Sequence, residues 1–149
     1  MKKILVPLSI IILACLVACT TSRTVLSDTA DLSKYKYASL TDVMNYSGSA
    51  NMMDLEVEIY DAINQTRLTM VGDKRINDLT EEQKSQLLLV RFSASSNSDE
   101  SVVSVNFVDF MTGKPVASCR GADMLGLTEN GEIKKAVKKV TKQIKELFK

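Results

Sequence analysis

Three cysteines, at positions 15, 19 and 119, carry what reactive chemistry this 149-residue chain could offer. A cysteine attacks as its thiolate, which needs a neighbouring base or a positive environment. The chain contains no histidine and no tryptophan. Neither a Cys/His pair nor a Ser/His/Asp triad can be built, and His-ligated metals are excluded with them. Cys119, alone in "VASCRG", reads as a small buried hydrophobe. Ser33 and Lys36 match S-x-x-K, but no K-T-G follows and the chain is too short for the serine enzymes that use that pattern. Asp99-Glu100 and Glu81-Glu82 are adjacent acids in turns, without the spaced oxygen ligands of a calcium loop. No glycine-rich phosphate loop is present. The sequence therefore predicts no enzyme, no cofactor and no metal.

Cys19 has a different context. Met1, Lys2 and Lys3 precede an apolar run over residues 4–17 that only Pro7 and Ser9 interrupt. A charged start, a short apolar segment and a small-residue exit are the layout of a secretory signal peptide. A spanning helix would need about 20 apolar residues. The closing residues Leu16-Val17-Ala18-Cys19 look like the lipobox of bacterial lipoproteins. That resemblance implies a diacylglyceryl group on the Cys19 thiol, cleavage after Ala18, and a palmitate-type chain on the new amine. Cys15 matches less well because Leu13 is bulky for its position. Several acyl chains make attachment effectively permanent, at about 0.8 kcal/mol per buried methylene. Thr20, rather than aspartate, after the cysteine resembles outer-membrane sorting, and the lack of acids directly after Cys19 points to the periplasmic side.

Residues 1–18 are thus expected as a cleaved leader, 19–33 as the lipidated N-terminus with a flexible tether, and 34–149 as a single domain. The charge of +1 for the whole chain becomes −1 without Lys2 and Lys3. Residues 132–149 hold seven lysines against Glu132 and Glu146, so the remainder is acidic. A nucleic-acid binder would more often be basic throughout, and none is expected here. With Cys19 acylated, Cys119 has no partner for a disulfide. The hydroxyl-rich stretch 20–33 has no sustained period and could reach up to about 45 Å if extended.

The elements that would position any site follow from periodicity. "KYKYASLT" suits a short strand. In "NMMDLEVEIYDAINQT", Leu55, Val57 and Ile59 alternate like a strand, while Met52, Leu55, Ile59 and Ile63 recur at helical spacing; length favours the helix. "RLTMVG" reads as a strand, and Thr80 with Gln83 as a capping box opening a helical turn. "LLLVRFSAS", "SVVSVNFVDF" and "KPVASCRGA" read as an antiparallel meander, with Gly113 at positive φ in a three-residue loop. Ile133, Val137, Val140, Ile144 and Phe148 make one face of a final helix capped by Asn130 or Thr128. The predicted fold is α/β (α+β): a two-layer sandwich, order β-α-β-β-β-β-α, with a mixed, mostly antiparallel sheet and two main helices on one face.

The strand "KYKYASL", the early helix, "MVGDKRI", the hairpin "VVSVNFVDFMTGKPVAS" and the basic closing helix resemble a group of small bacterial envelope lipoproteins, common in Bacteroidetes-type organisms. Their domain is broadly similar to that of peptidoglycan-synthase-activator and curli-secretion lipoproteins. The resemblance implies an outer-membrane, lipid-anchored protein and brings no catalytic residue with it.

Two surfaces are candidates for binding. If Leu88, Val90, Phe92, Val103, Val105 and Phe107 face the helices, then Arg91, Ser104, Asn106, Ser118 and Arg120 point the other way, with Val102, Val108 and Val116 nearby. Arginine is enriched at interfaces, so this face is the candidate site for an envelope protein partner. The second is the outer face of the last helix, where Lys134, Lys135, Lys138, Lys142 and Lys145 could meet anionic lipid or acidic glycan. The expected function is that of a non-catalytic docking module; binding of lipid or glycan is the alternative, and hydrolysis ranks third.

Overall fold

The structure, a computed structural model, describes residues 22–41, 50–97, 100–124 and 129–149. It contains six strands: β1 (Ser22–Leu26), β2 (Tyr37–Leu40), β3 (Thr69–Met70), β4 (Leu87–Ser96), β5 (Ser101–Asp109) and β6 (Pro115–Asp123). The helices are α1 (Ala50–Asn64), α2 (Glu81–Ser85) and α3 (Glu129–Leu147), with 3-10 turns at Leu32–Lys34 and Asp73–Asp78. All strands join one sheet in the order β1-β6-β5-β4-β2-β3. The pairings are antiparallel from β1 to β4 and parallel across β4, β2 and β3. The two-layer α/β sandwich with a mixed sheet is as expected.

Each element follows from its pattern. In α1 the helical reading prevails: Leu55, Ile59, Ala62 and Ile63 are buried at spacings of three and four, while Val57 is exposed. A parallel β2-β3 pair needs a crossover, and α1 supplies it. The Thr80 hydroxyl accepts from the Gln83 amide at 3.2 Å while the Gln83 side-chain oxygen accepts from the Thr80 amide at 2.9 Å, completing the capping box of α2. In α3, Ala136, Val137, Val140 and Ile144 are fully buried, as is Phe148 directly after it. They pack on Val90, Val103, Val105 and Phe107 of the sheet together with Leu55, Ile59 and Ile63. Asn130, one of the two expected caps, lies inside the helix; Thr128, the other, lies outside the described residues.

Three expectations are corrected. Ser22–Leu26, assigned to a flexible tether, is an edge strand paired with Ala117–Gly121. It shows no apolar alternation because its helix-facing side chains are hydroxyls held by one amide. Gln143 of α3, 8% exposed, donates to the Ser22 hydroxyl at 2.6 Å and to the Arg120 carbonyl at 3.0 Å, and accepts from the Thr24 hydroxyl at 2.8 Å. A buried amide that is satisfied by the hydroxyls of an exposed strand in this way can hold an element with little apolar area. The β5-β6 loop spans five residues between the strands rather than three. Gly113 takes φ 67° as expected, but its amide reaches back to the Asp109 carbonyl at 2.8 Å, which widens the turn. Finally, Val116 is in the core and not on the open face. A register shift pairs Phe107 with Ala117 and Val108 with Pro115, so Val116 is the extra residue of a bulge.

The face opposite α1 and α3 is partly covered. Beyond Tyr37, whose side chain lies opposite Ala38, the Gln83 amide approaches the Tyr37 hydroxyl at 3.4 Å, and Leu87 and Ile76 are buried outside the main core. The open face is thereby limited to the β4-β5-β6-β1 part of the sheet.

Candidate functional site

Pairing brings the expected face residues together. Directly opposed residues of a sheet share a face. One row across the strands runs Arg91, Asn106, Ser118, Val25, and the next runs Ser93, Ser104, Arg120, Arg23. Arg91, Asn106 and Arg120 are exposed, and Ser104 and Ser118 are half-buried. Strand spacing and rise place Arg91 and Arg120 roughly 12 Å apart between Cα atoms. The five residues named from sequence therefore form one contiguous surface.

The structure adds Arg23, which sequence reasoning missed because β1 was read as a tether. The signal was present: Ser22 and Thr24 alternate with Arg23 and Val25, but hydroxyl residues do not distinguish an edge strand from a loop. Arg120 makes a 3.4 Å pair with Glu100. Arg23 and Arg91 have no acidic partner among the described residues. The face thus presents three guanidinium groups over a floor of serines, one asparagine and half-buried Val102 and Val108. Guanidinium forks suit carboxylate or phosphate groups. Beside Val25, Asn106, Pro115 and Ser118 the surface dips into an open groove of about 500 Å³, so the face is a shallow platform and not an enclosed pocket.

Lys134, Lys135, Lys138, Lys142 and Lys145 are all exposed along α3. Lys135 lies 4.0 Å from Asp123, and Lys142 lies 4.0 Å from Glu146. The exposed Lys142–Glu146 pair contributes little, about 0–1 kcal/mol, whereas the carboxylate that Lys135 faces is buried and is also approached by Lys139 at 3.8 Å. Cys19 lies outside the described residues.

The remaining chemical candidates resolve into structural roles. Cys119 is fully buried, and burial pushes its thiol up to about 11, only partly offset by a hydrogen bond with Thr24. The Ser33 hydroxyl donates to Asp31 at 2.6 Å in a 3-10 turn. Glu81 and Glu82 lie in the first turn of α2, where its dipole favours them. No group of three or more metal-ligating side chains occurs among the described residues. No helix there is long and apolar enough to cross a membrane.

A polar lock that the sequence did not reveal holds the other end of the sheet. Asp109, 4% exposed at the end of β5, accepts from Lys34 Nζ and Tyr35 Oη, each at 2.9 Å, through one oxygen. Its other oxygen accepts from the Thr112 amide at 2.8 Å and the Thr112 hydroxyl at 3.0 Å. Burial alone would raise its pKa; the donors from Lys34, Thr112 and Tyr35 outweigh that and hold it well below the usual carboxylate range. Burial, with the Asp109 hydrogen bond, pushes Tyr35 up to about 12. A depressed folded pKa contributes stability that is full above the unfolded value, near 4, and is lost as pH falls below it. Asp109→Asn is therefore expected to lower stability at pH 7 by about 2–3 kcal/mol, as charged hydrogen bonds are lost. It should also flatten the acid side of the curve: urea unfolding from pH 6 to pH 2.5 should show the wild type losing its advantage over the variant. A constant difference would show that the carboxyl titrates alike in the folded and unfolded chain and that the donors around it do not hold it ionised.

No protein-family model matches the chain, and no curated protein matches it. Among solved structures, it is similar to a point variant of the PelC dodecamer from Paraburkholderia phytofirmans, with a TM-score of 0.51 and 17% identity over 87% of this chain and 98% of that one. A second PelC dodecamer structure from that organism gives 0.45 and 14% identity over 86% and 94%. A PDZ domain protein from Parabacteroides distasonis gives 0.48 and 12% identity over 73% of this chain but only 32% of that chain. The first of these shows that the fold is shared.

Proposed function

We propose that this chain is a non-catalytic, lipid-anchored bacterial envelope lipoprotein, acylated at Cys19, whose domain docks another envelope component through the open face of the sheet. The carrying observation is the contiguous surface of Arg23, Arg91 and Arg120 over Ser93, Ser104, Asn106 and Ser118. Three guanidinium groups on a rigid sheet, two of them without an acidic partner among the described residues, suit a partner presenting carboxylate or phosphate groups. The lipobox-like Leu16-Val17-Ala18-Cys19 supports the anchor, and the absence of a membrane-crossing helix among the described residues is consistent with it. Outer-membrane, periplasm-facing residence follows from the residue after Cys19.

The test is affinity purification of the full-length protein from gently solubilised membranes, beside a variant carrying Arg91→Glu and Arg120→Glu. A stoichiometric envelope partner is expected with the wild type and at least about tenfold less with the variant, since paired charge reversals at an interface cost several kcal/mol. Equal recovery from both samples would move the docking site off this face. Binding of anionic lipid or acidic glycan by the α3 lysines is the alternative, and salt-sensitive co-sedimentation with anionic vesicles tests it.

A second copy of the chain is also a candidate partner. Met53, Val57 and Tyr60 form an apolar stripe on the outer side of α1, 68%, 59% and 44% exposed, and the similar PelC structure is a dodecamer. Mass photometry of the detergent-solubilised protein separates self-assembly from docking of a different protein.

A further inference from the structure

Strand β1 begins at Ser22, three residues after Cys19. Three residues span at most about 11 Å. The strand is fixed to the domain by five paired positions on β6 and by the Gln143 clamp. An acyl group on Cys19 would therefore be tied closely to one particular end of the sheet. Ser22 lies opposite Gly121; beyond it are Asp123 at the end of β6, its partner Ser101, and Ser96 at the end of β4. The Phe110–Lys114 turn lies at the other end of β5, roughly 27 Å away at the usual rise per residue.

Helix α3 divides along the same axis. It runs back along β6, with Lys135 near Asp123, Ala136 over Gly121, Gln143 bonded to the Arg120 carbonyl and Phe148 against Phe107. Lys134 and Lys135 thus lie at the Ser22 end of the domain, and Lys145 toward the far end. Met124, an exposed apolar side chain, follows β6 at the near end. Of the described acids at this end, Glu100 is paired with Arg120, Glu132 accepts from Ser101, and buried Asp123 faces Lys135 at 4.0 Å and Lys139 at 3.8 Å; Lys134 and Lys135 nonetheless stay exposed, within reach of anionic headgroups.

We propose that the domain rests end-on on the bilayer, with Met124, Lys134 and Lys135 at the headgroups and the Phe110–Lys114 turn pointing away. This orientation rests on the anchor reading of Cys19. It leaves the arginine face upright and open to a partner beside the membrane. Of the five lysines on α3, the first two touch lipid while Lys142 and Lys145 do not.

The test uses the native lipoprotein purified from membranes with one added cysteine: Met124→Cys, Met111→Cys or Asp28→Cys. Cys119 is buried and an acylated Cys19 is blocked, so a thiol-reactive fluorophore marks only the added site. The labelled proteins are placed in phosphatidylethanolamine and phosphatidylglycerol vesicles carrying headgroup spin-labelled lipid. Quenching is expected to be several-fold stronger at Met124→Cys than at the other two. Equal quenching at Met124→Cys and Asp28→Cys would mean that the domain lies flat along β1, and none at Met124→Cys that it stands off the membrane; either overturns the orientation. Intact mass of the same samples reads the anchor separately. An unmodified Cys19 removes the anchor and the orientation together, whereas an acylated protein with the wrong quenching pattern removes only the orientation.

Discussion

Replacing Phe148 with alanine is expected to lower the free energy of unfolding by about 3–5 kcal/mol, the usual cost of emptying an aromatic core position. Phe148 is fully buried, and its ring lies 4.8 Å from that of Phe107 at 60°. A tilted pair of this kind adds about 0.5–1.5 kcal/mol beyond burial. The residue is also tied by its backbone, since its carbonyl accepts from the Arg67 amide at 3.1 Å and the Arg67 guanidinium lies 5.9 Å from its ring. Small domains are stable by about 5–15 kcal/mol in total, so the variant should lie near the limit of folding. Urea unfolding followed by far-UV circular dichroism measures the change. A loss below about 1 kcal/mol, the range of surface substitutions, would mean that the end of α3 is not packed on Phe107.

Gly121→Val should be comparably harmful for the opposite reason, excess volume instead of lost volume. A Cβ at Gly121 would overlap the backbone carbonyl oxygen of Ala136 and come within 3.1 Å of Lys139 Cβ and Val140 Cγ2. A carbonyl in mid-helix cannot rotate away, so α3 must lift from β6. Overpacking of this kind costs about 1–3 kcal/mol, and more when backbone has to move. The damage should spread to β1, because the Gln143 clamp depends on the seating of α3. Hydrogen exchange at Val25, whose amide faces β6, should accelerate in the variant more than at Val105 in the central strand. Wild-type exchange at β1 in a folded variant would show that α3 tolerates the added methyls without shifting.

The candidate binding face depends on the same packing. Val103, Val105 and Phe107 bury one side of β5 beneath α3, which obliges Ser104 and Asn106 to face outward. Every core contact on one side of the strand thereby orients a candidate binding residue on the other. The arginine platform is rigid because the sheet beneath it is covered on its back.

The sequence by itself determined the elements with strong local signals. Alternation in "VRFSAS" and "SVVSVNFVD" set both the strands and their faces, since side chains alternate with a period of two. Spacing by three and four from Ile133 to Phe148 set α3 and its buried stripe. The Thr80-Gln83 capping box and Gly113 at positive φ were legible because each is satisfied within a few residues. Of the open-face arginines, Arg91 and Arg120 were identified by parity alone.

Only the tertiary structure decided what depends on a distant partner. The alternation in Ser22–Leu26 is of hydroxyls and so does not by itself mark a strand; the segment is one because it pairs with β6 and because Gln143, more than a hundred residues away in sequence, hydrogen-bonds its hydroxyls. That contact adds Arg23 to the platform and shortens the span between Cys19 and the domain to three residues. Asp109 closes the strand read from "SVVSVNFVDF", and nothing local to it shows that Lys34 and Tyr35 are brought to its carboxylate from the start of the domain. Val116 entered the core through a bulge that shifts parity by one residue, which alternation cannot show. Local periodicity decides which way a side chain points within an element, whereas polar contacts between remote segments decide which segments become elements and where the candidate surfaces meet.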